Sequence, residues 1–236
     1  MRNYIELNGK SSNEINGLLI QELPPISKPK IRTQVDEING RDGDIITKLG
    51  YSAYDKTIKI GLYGDFNIDD VIEYFNSSGK VVFSNEVDKY YNYQILEQID
   101  YERLVRYRTA DVTLHVQPFK YSAVDGIKKY TSFTEDEITI KNNGNYISKP
   151  IITITASGTI NLSLNGNQIF VIDMGDSEKI VIDTNLMEAY DPSTKALLNR
   201  NVTGDYDNFN LNIGNNTISW TGDITEIDIE NYSRWI

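Results

Sequence analysis

Residues 35–63 read VDEINGRDGDIITKLGYSAYDKTIKIGLY. At their centre, Asn39-Gly40-Arg41-Asp42-Gly43 packs two glycines, an Asn and an Asp between two strand-like runs. Glycine reaches positive φ without steric cost, and Asn-Gly is the strongest short hairpin signal. Further on, Ile58, Ile60 and Leu62 alternate with Thr57, Lys59 and Tyr63. That period of two predicts a half-buried antiparallel strand. Arg41 and Asp42, carried on a tight turn, leave a planar donor fork exposed and suited to carboxylate partners. The plainer reading of the same pair is a turn with a solvated ion pair.

Outward from this stretch, composition sets the bounds. A chain of 236 residues holds one large or two ordinary domains. Its 39% hydrophobic content and 16 Tyr suit a β-rich protein, and no apolar run is long enough to span a bilayer as a helix. The opening MRNYIELNG lacks an apolar core, so no secretory signal is expected. With no Cys, disulfides, thiolate chemistry and cysteine metal sites are all excluded. The net charge of −11 argues against nucleic-acid binding, which needs a basic footprint. Residues 1–125 carry 15 basic and 19 acidic side chains, residues 126–236 carry 8 and 15, so neither half hides a basic domain.

In the first half, Asn3 to Leu7 reads as a short strand closed by Asn8-Gly9, and Gly17 to Leu23 as an apolar run stopped at Pro24-Pro25. A helix is predicted near residues 68–76. Asn67 is its N-cap, Asp69 and Asp70 lie in its first turn, and Ile68, Val71, Ile72 and Phe75 form its stripe. Strand patterns follow in Lys80 to Ser84 and Val87 to Ile99. The second is rich in tyrosine (Tyr90, Tyr91, Tyr93), and Arg103, Arg106 and Arg108 come soon after. Tyr and Arg are enriched at interface cores, but half-exposed hairpins with aromatic cross-strand pairs have the same composition. Ala110 to Val116 alternates again, and the strand is expected to end at Gln117-Pro118-Phe119-Lys120-Tyr121. The domain boundary is expected near Asp125-Gly126.

The second half reads as short strands at regular spacing, the pattern of an all-β sandwich. Ile160, Leu162 and Leu164 alternate up to Asn165-Gly166, and Gln168 to Asp173 returns as the second arm of a two-residue hairpin. Ile151 to Thr155, Lys179 to Asp183 and Asn216 to Thr221 are further strands.

No catalytic constellation emerges. The sole histidine, His115, lies on the polar phase of a strand, and there is no G-x-S-x-G, Walker, G-x-G-x-x-G or H-E-x-x-H motif. Acidic pairs are plentiful, yet Asp205 and Asp207 only begin a calcium-loop pattern. The reading is therefore of a non-enzymatic chain with no catalytic, cofactor or metal residues, working by surface contact.

Taken in order, these residues resemble the siphophage distal tail protein family, Dit, over nearly the whole chain. The resemblance is carried by Ile38 to Gly43, by the strand ending at residues 117–121, and by Asn143-Gly144-Asn145 followed by Ser148-Lys149-Pro150-Ile151-Ile152-Thr153-Ile154. Residues 182–191 (IDTNLMEAYD), residues 212–218 (NIGNNTI) and Arg234-Trp235 complete it. It implies a mainly β protein. An N-terminal β-sandwich ring domain (1–125), with one short α-helix and a long β-hairpin, would precede a C-terminal galectin-like, CBM-like β-sandwich (126–236).

It also implies a homo-hexamer at the tail tip of a virion or phage-tail-like particle, made in the host bacterial cytoplasm. That ring would join the tail-tube protein to the tail-associated hub or lysin protein and, in some phages, hold receptor-binding proteins. No cofactor, nucleic acid or membrane is implied. The ring contact is expected to use Arg41, Asp42, Tyr90, Tyr91, Tyr93 and Arg106. The competing class is a carbohydrate-binding module for cell-wall sugars, with Tyr190 and Trp220 as stacking candidates, although Trp220 alternates with Ile218 and reads better as core.

Overall fold

The computed structural model describes residues 2–236 and divides into two compact units, one through Ala123 and one from Val124 to Trp235. It is mainly β, with two helices. In the first unit the strands are β1 (Ile5–Leu7), β2 (Lys10–Ser11), β3 (Leu18–Glu22), β4 (Ile31–Glu37), β5 (Asp44–Tyr51), β6 (Tyr54–Leu62), β7 (Gly79–Phe83), β8 (Lys89–Gln94) and β9 (Thr109–Ser122). All except β4 and β5 join one antiparallel sheet in the order β2-β1-β7-β8-β9-β6-β3. Ile58, Ile60 and Leu62 turn inward on β6 opposite Val112 and Ala110 of β9, as their alternation predicts.

Pro118 does not end β9. The register shifts there, with Tyr91 opposite Lys120 and Tyr93 opposite Val116, so the proline occupies a bulge where its missing N–H costs no ladder bond. Helix α1 (Ile68–Phe75) starts where predicted, the Asn67 side chain accepting from the Asp69 amide at 3.1 Å. Its buried face is Val71, Tyr74 and Phe75, whereas Ile72, expected on the stripe, is 37% exposed. The Tyr74 hydroxyl donates to the Ile5 carbonyl at 3.0 Å and docks the helix on β1.

A second helix, α2 (Tyr101–Tyr107), was not expected. The Asp100 carboxylate accepts from the Arg103 amide at 2.8 Å, and Arg108 in the left-handed region closes the helix. Only Leu104 is buried in its seven residues, so no apolar period marks it in the sequence.

The second unit contains β10 (Ile127–Tyr130), β11 (Glu137–Asn142), β12 (Ile151–Leu164), β13 (Asn167–Asp173), β14 (Lys179–Asp183), β15 (Glu188–Tyr190), β16 (Val202–Gly204) and β17 (Gly214–Glu230). Strands β12 and β17 run beside each other for most of their length and form its spine. β14 pairs with the first half of β12 and β13 with the second, so the sheet changes layer at the irregularity between Ser157 and Asn161. Ile151–Thr155 and Ile160–Leu164, read from sequence as separate strands, are thus the two ends of one. Asn165 (φ 52°) and Gly166 (φ 81°) make the predicted two-residue hairpin.

Candidate assembly interface

Strands β4 and β5 pair only with each other, in register from Ile31 opposite Tyr51 to Glu37 opposite Asp44. They form an arm whose side chains are exposed from Arg32 to Leu49. At its tip, the Arg41 amide donates to the Ile38 carbonyl at 3.1 Å and Gly40 holds φ 83°, the third turn position where glycine is needed. Among the described residues, neither Arg41 nor Asp42 has a side-chain hydrogen bond or ion pair. Both are exposed.

The arm is not uniformly polar. Val35 and Ile46 are directly opposed, 50% and 63% exposed, and Ile38 and Leu49 are about as open. An isolated two-stranded ribbon is marginal in water and has no interior in which to hide such residues. Exposed apolar side chains grouped in this way are the kind of surface that proteins use for contact.

The root of the arm is fixed. The Ser52 amide donates to the Lys30 carbonyl at 2.8 Å, the Tyr54 hydroxyl reaches the Ser27 carbonyl at 3.4 Å, and Tyr51 meets Phe119 edge-on. Lys56, 3% exposed, donates to the Pro25 carbonyl at 2.8 Å and lies against the rings of Tyr54 and Tyr91. Burial pushes the Lys56 ammonium down to about 8, against the attraction of Glu86. Glu86 in turn binds Lys120 at 2.8 Å and accepts from the Tyr91 hydroxyl at 3.3 Å. Burial raises the Tyr91 phenol well above its ordinary value, and neighbouring Tyr54 and Glu86 push it the same way.

The tyrosines expected at a subunit contact are interior. Tyr91 and Tyr93 are 1% and 3% exposed; the Tyr93 hydroxyl bonds Ser77 at 2.6 Å at the end of α1. Tyr90 is also buried, stacked on Tyr121 with the Lys80 ammonium over its ring. This corrects the composition argument: Tyr91 and Tyr93 offer a neighbour almost no surface, and Tyr91 supports the arm through Lys56. Arg106 is exposed on α2, paired with Glu102 at 2.9 Å across one helical turn.

The proposed sugar-stacking residues are not brought together as a platform. Trp220 is 4% exposed, edge-on to Phe133 and opposite Leu162, so it is core. Tyr190 is half-buried beneath the Lys195 ammonium. His115 bonds Asp55 at 2.7 Å on the strand surface. Sequence reasoning missed the apolar side chains of the arm, because Val, Ile and Leu in strand-like runs normally indicate a core strand. The one available signal was the Pro24-Pro25…Pro29 segment, which leads the chain away from the sheet.

No protein-family model and no curated protein matches the chain. Solved structures do. The crystal structure of the phage SPP1 Dit protein, described as a paradigm of the hub adsorption apparatus in phages infecting Gram-positive bacteria, aligns over 100% of both chains, with TM-score 0.64 and 17% identity. A chain of the phage P2 baseplate in its calcium-activated conformation aligns over 98% of this chain and 97% of its own, with TM-score 0.52 and 10% identity. The strontium form gives 0.51 over the same shares, also at 10% identity. Over its whole length, this chain has the fold of the phage distal tail protein Dit.

Proposed function

We propose that the chain is a structural component of a phage tail tip, or of a phage-tail-like particle, whose first unit assembles into a hexameric ring. The observation that carries this is the arm. It exposes Val35, Ile38, Ile46 and Leu49 on a ribbon with no sheet partner, held at its root by Lys56, Tyr54 and Ser52. Contact with another copy buries those residues and gives the Arg41 fork a partner carboxylate. The ring links the tail-tube protein on one side to the hub or lysin protein on the other, and supports receptor-binding proteins at its edge. The fold likeness and the motif resemblance support this choice of partners. The role involves no bond made or broken.

Sedimentation velocity at rising protein concentration tests this reading. The wild-type chain is expected to pass from monomer to a closed oligomer, and Val35→Asp/Ile46→Asp to stay monomeric. Equal masses for both proteins at every concentration would contradict it.

A further inference from the structure

Asn-Gly pairs occur at Asn8-Gly9, Asn16-Gly17, Asn39-Gly40, Asn143-Gly144 and Asn165-Gly166. Such a pair is chemically distinctive. Glycine has no Cβ, so its backbone nitrogen can close on the preceding Asn side chain without obstruction. That attack needs a free carboxamide and a peptide unit that can rotate. The fold decides which pairs keep both.

Four pairs are held. The Asn8 carboxamide donates to the Ser78 carbonyl at 3.0 Å and accepts from the Lys80 amide at 2.9 Å. Asn165 is tied in the same way, donating to Asn216 Oδ1 at 3.0 Å and accepting from the Thr217 amide at 2.9 Å. At Asn143 the backbone is fixed on both sides. Its own amide donates to Ser233 Oγ at 2.9 Å, the Gly144 amide donates to Asn142 Oδ1 at 2.9 Å, and Gly144 is wedged against the Arg234 backbone. Asn16 has an exposed side chain, but Gly17 is buried against Phe66 and its carbonyl accepts from the Tyr63 amide at 3.0 Å. The peptide that must turn there is clamped.

Asn39-Gly40 differs on every count. It lies beyond the ladder, whose last pair is Glu37 opposite Asp44, and both residues are exposed. Among the described residues, neither the Asn39 carboxamide nor the Gly40 amide has a hydrogen-bond partner, and Gly40 has open space around it. The turn bond from Arg41 to Ile38 spans the pair, and no buried side chain depends on it. Loop tips of this kind open at little cost.

We propose that Asn39 is a site of spontaneous modification, deamidating in the folded protein ahead of the other four. The Gly40 nitrogen, giving up its proton to base, attacks Asn39 Cγ. A C–N bond forms there, the C–Nδ2 bond breaks, and the side-chain nitrogen takes up a proton and leaves as ammonia. Water then opens the succinimide ring at either carbonyl, leaving aspartate or, with one more methylene in the main chain, isoaspartate. No electrons are exchanged. The product places a further carboxylate among Asp36, Glu37, Asp42 and Asp44, where Arg41 is the sole basic side chain of residues 36–44. The chemistry needs one copy of the chain only, whatever its assembly. At Asn8 and Asn165 two hydrogen bonds must be released before the attack, which slows the step by roughly tenfold or more.

Mass spectrometry of peptides from the full chain tests this. The folded protein is aged in warm, mildly alkaline buffer beside a sample held in denaturant, and both are digested at intervals. In denaturant the Asn-Gly pairs are expected to convert at similar rates. In the folded sample the Asn39 peptide is expected to convert roughly tenfold faster than any other Asn-Gly peptide, giving both aspartate and isoaspartate. Asn39→Gln, whose longer side chain must close a larger ring, is expected to remove the signal at the tip and leave the other pairs unchanged. Another pair converting as fast as Asn39 in the folded chain overturns the proposal. So does an unconverted Asn39 while the denatured control converts, or the same ranking of sites in both samples.

Discussion

The Lys56 ammonium donates to the Pro25 carbonyl at 2.8 Å, from a site where it is 3% exposed and 5.0 Å from the centre of the Tyr91 ring. A buried cation thus ties the sheet to the segment that launches the arm. Tyr91, expected at a subunit contact, is buried and shapes the site that holds Lys56.

That placement predicts a pH dependence. Lys56 titrates near 8 when folded and near the ordinary 10.5 when unfolded. Between those values the unfolded chain binds more protons at this position, so stability rises with pH. Burial moves Tyr74 and Tyr91 the other way: they keep their protons when the unfolded chain begins to lose them, and stability falls above about pH 10. Chemical denaturation from pH 7 to 10 is expected to show a gain of at most about 3 kcal/mol, most of it absent in Lys56→Met. Equal slopes in both proteins would refute the assignment.

Arm variants separate assembly from folding. Arg41→Ala and Asp42→Ala change exposed turn residues that have no side-chain partner in the same copy among the described residues. Each is expected to alter unfolding free energy by no more than about 0.5 kcal/mol while weakening self-association. Parallel denaturation and light scattering check this; unchanged assembly in both variants would remove the turn from the interface.

Gly144 sits where the chain has no room. A Cβ there would collide with the Arg234 backbone, against which the Asn145 and Tyr146 amides also bond. The buried Asn142 side chain fixes the same turn, accepting from the Gly144 amide at 2.9 Å and donating to the Tyr146 carbonyl at 2.9 Å. Gly144→Ala is expected to cost about 3 kcal/mol, read as a lowered denaturation midpoint of the second unit. Gly126→Ala, with open space around it, is expected to cost almost nothing.

Trp220 discriminates packing from sugar binding. Its burial against Phe133 predicts a loss of about 3–5 kcal/mol for Trp220→Ala. The full chain is expected to give no glycan-array signal that depends on Trp220 or Tyr190. A signal abolished by Tyr190→Ala with unchanged stability would favour the carbohydrate reading.

Much of the fold was legible because its strands bury one face. Ile58-Ile60-Leu62 and Ile160-Leu162-Leu164 carry the period of two, and Asn165-Gly166 names its own turn. Helix α2 was not legible, because a helix with one buried residue leaves no stripe. Pro118 misled for a different reason: a bulge lets a strand run through a proline. The turn at the tip of the arm was legible, because its glycines force it. The burial of Tyr90, Tyr91 and Tyr93 was not, since contact with Lys56, Ser77 and Tyr121 is set by residues distant in sequence.

Imaging the purified full chain by negative stain tests the assembly claim most directly. The account predicts six-fold annular particles, lost in Val35→Asp/Ile46→Asp. A field of solitary molecules of monomer size, unchanged at concentrations well above those used for sedimentation, would contradict it.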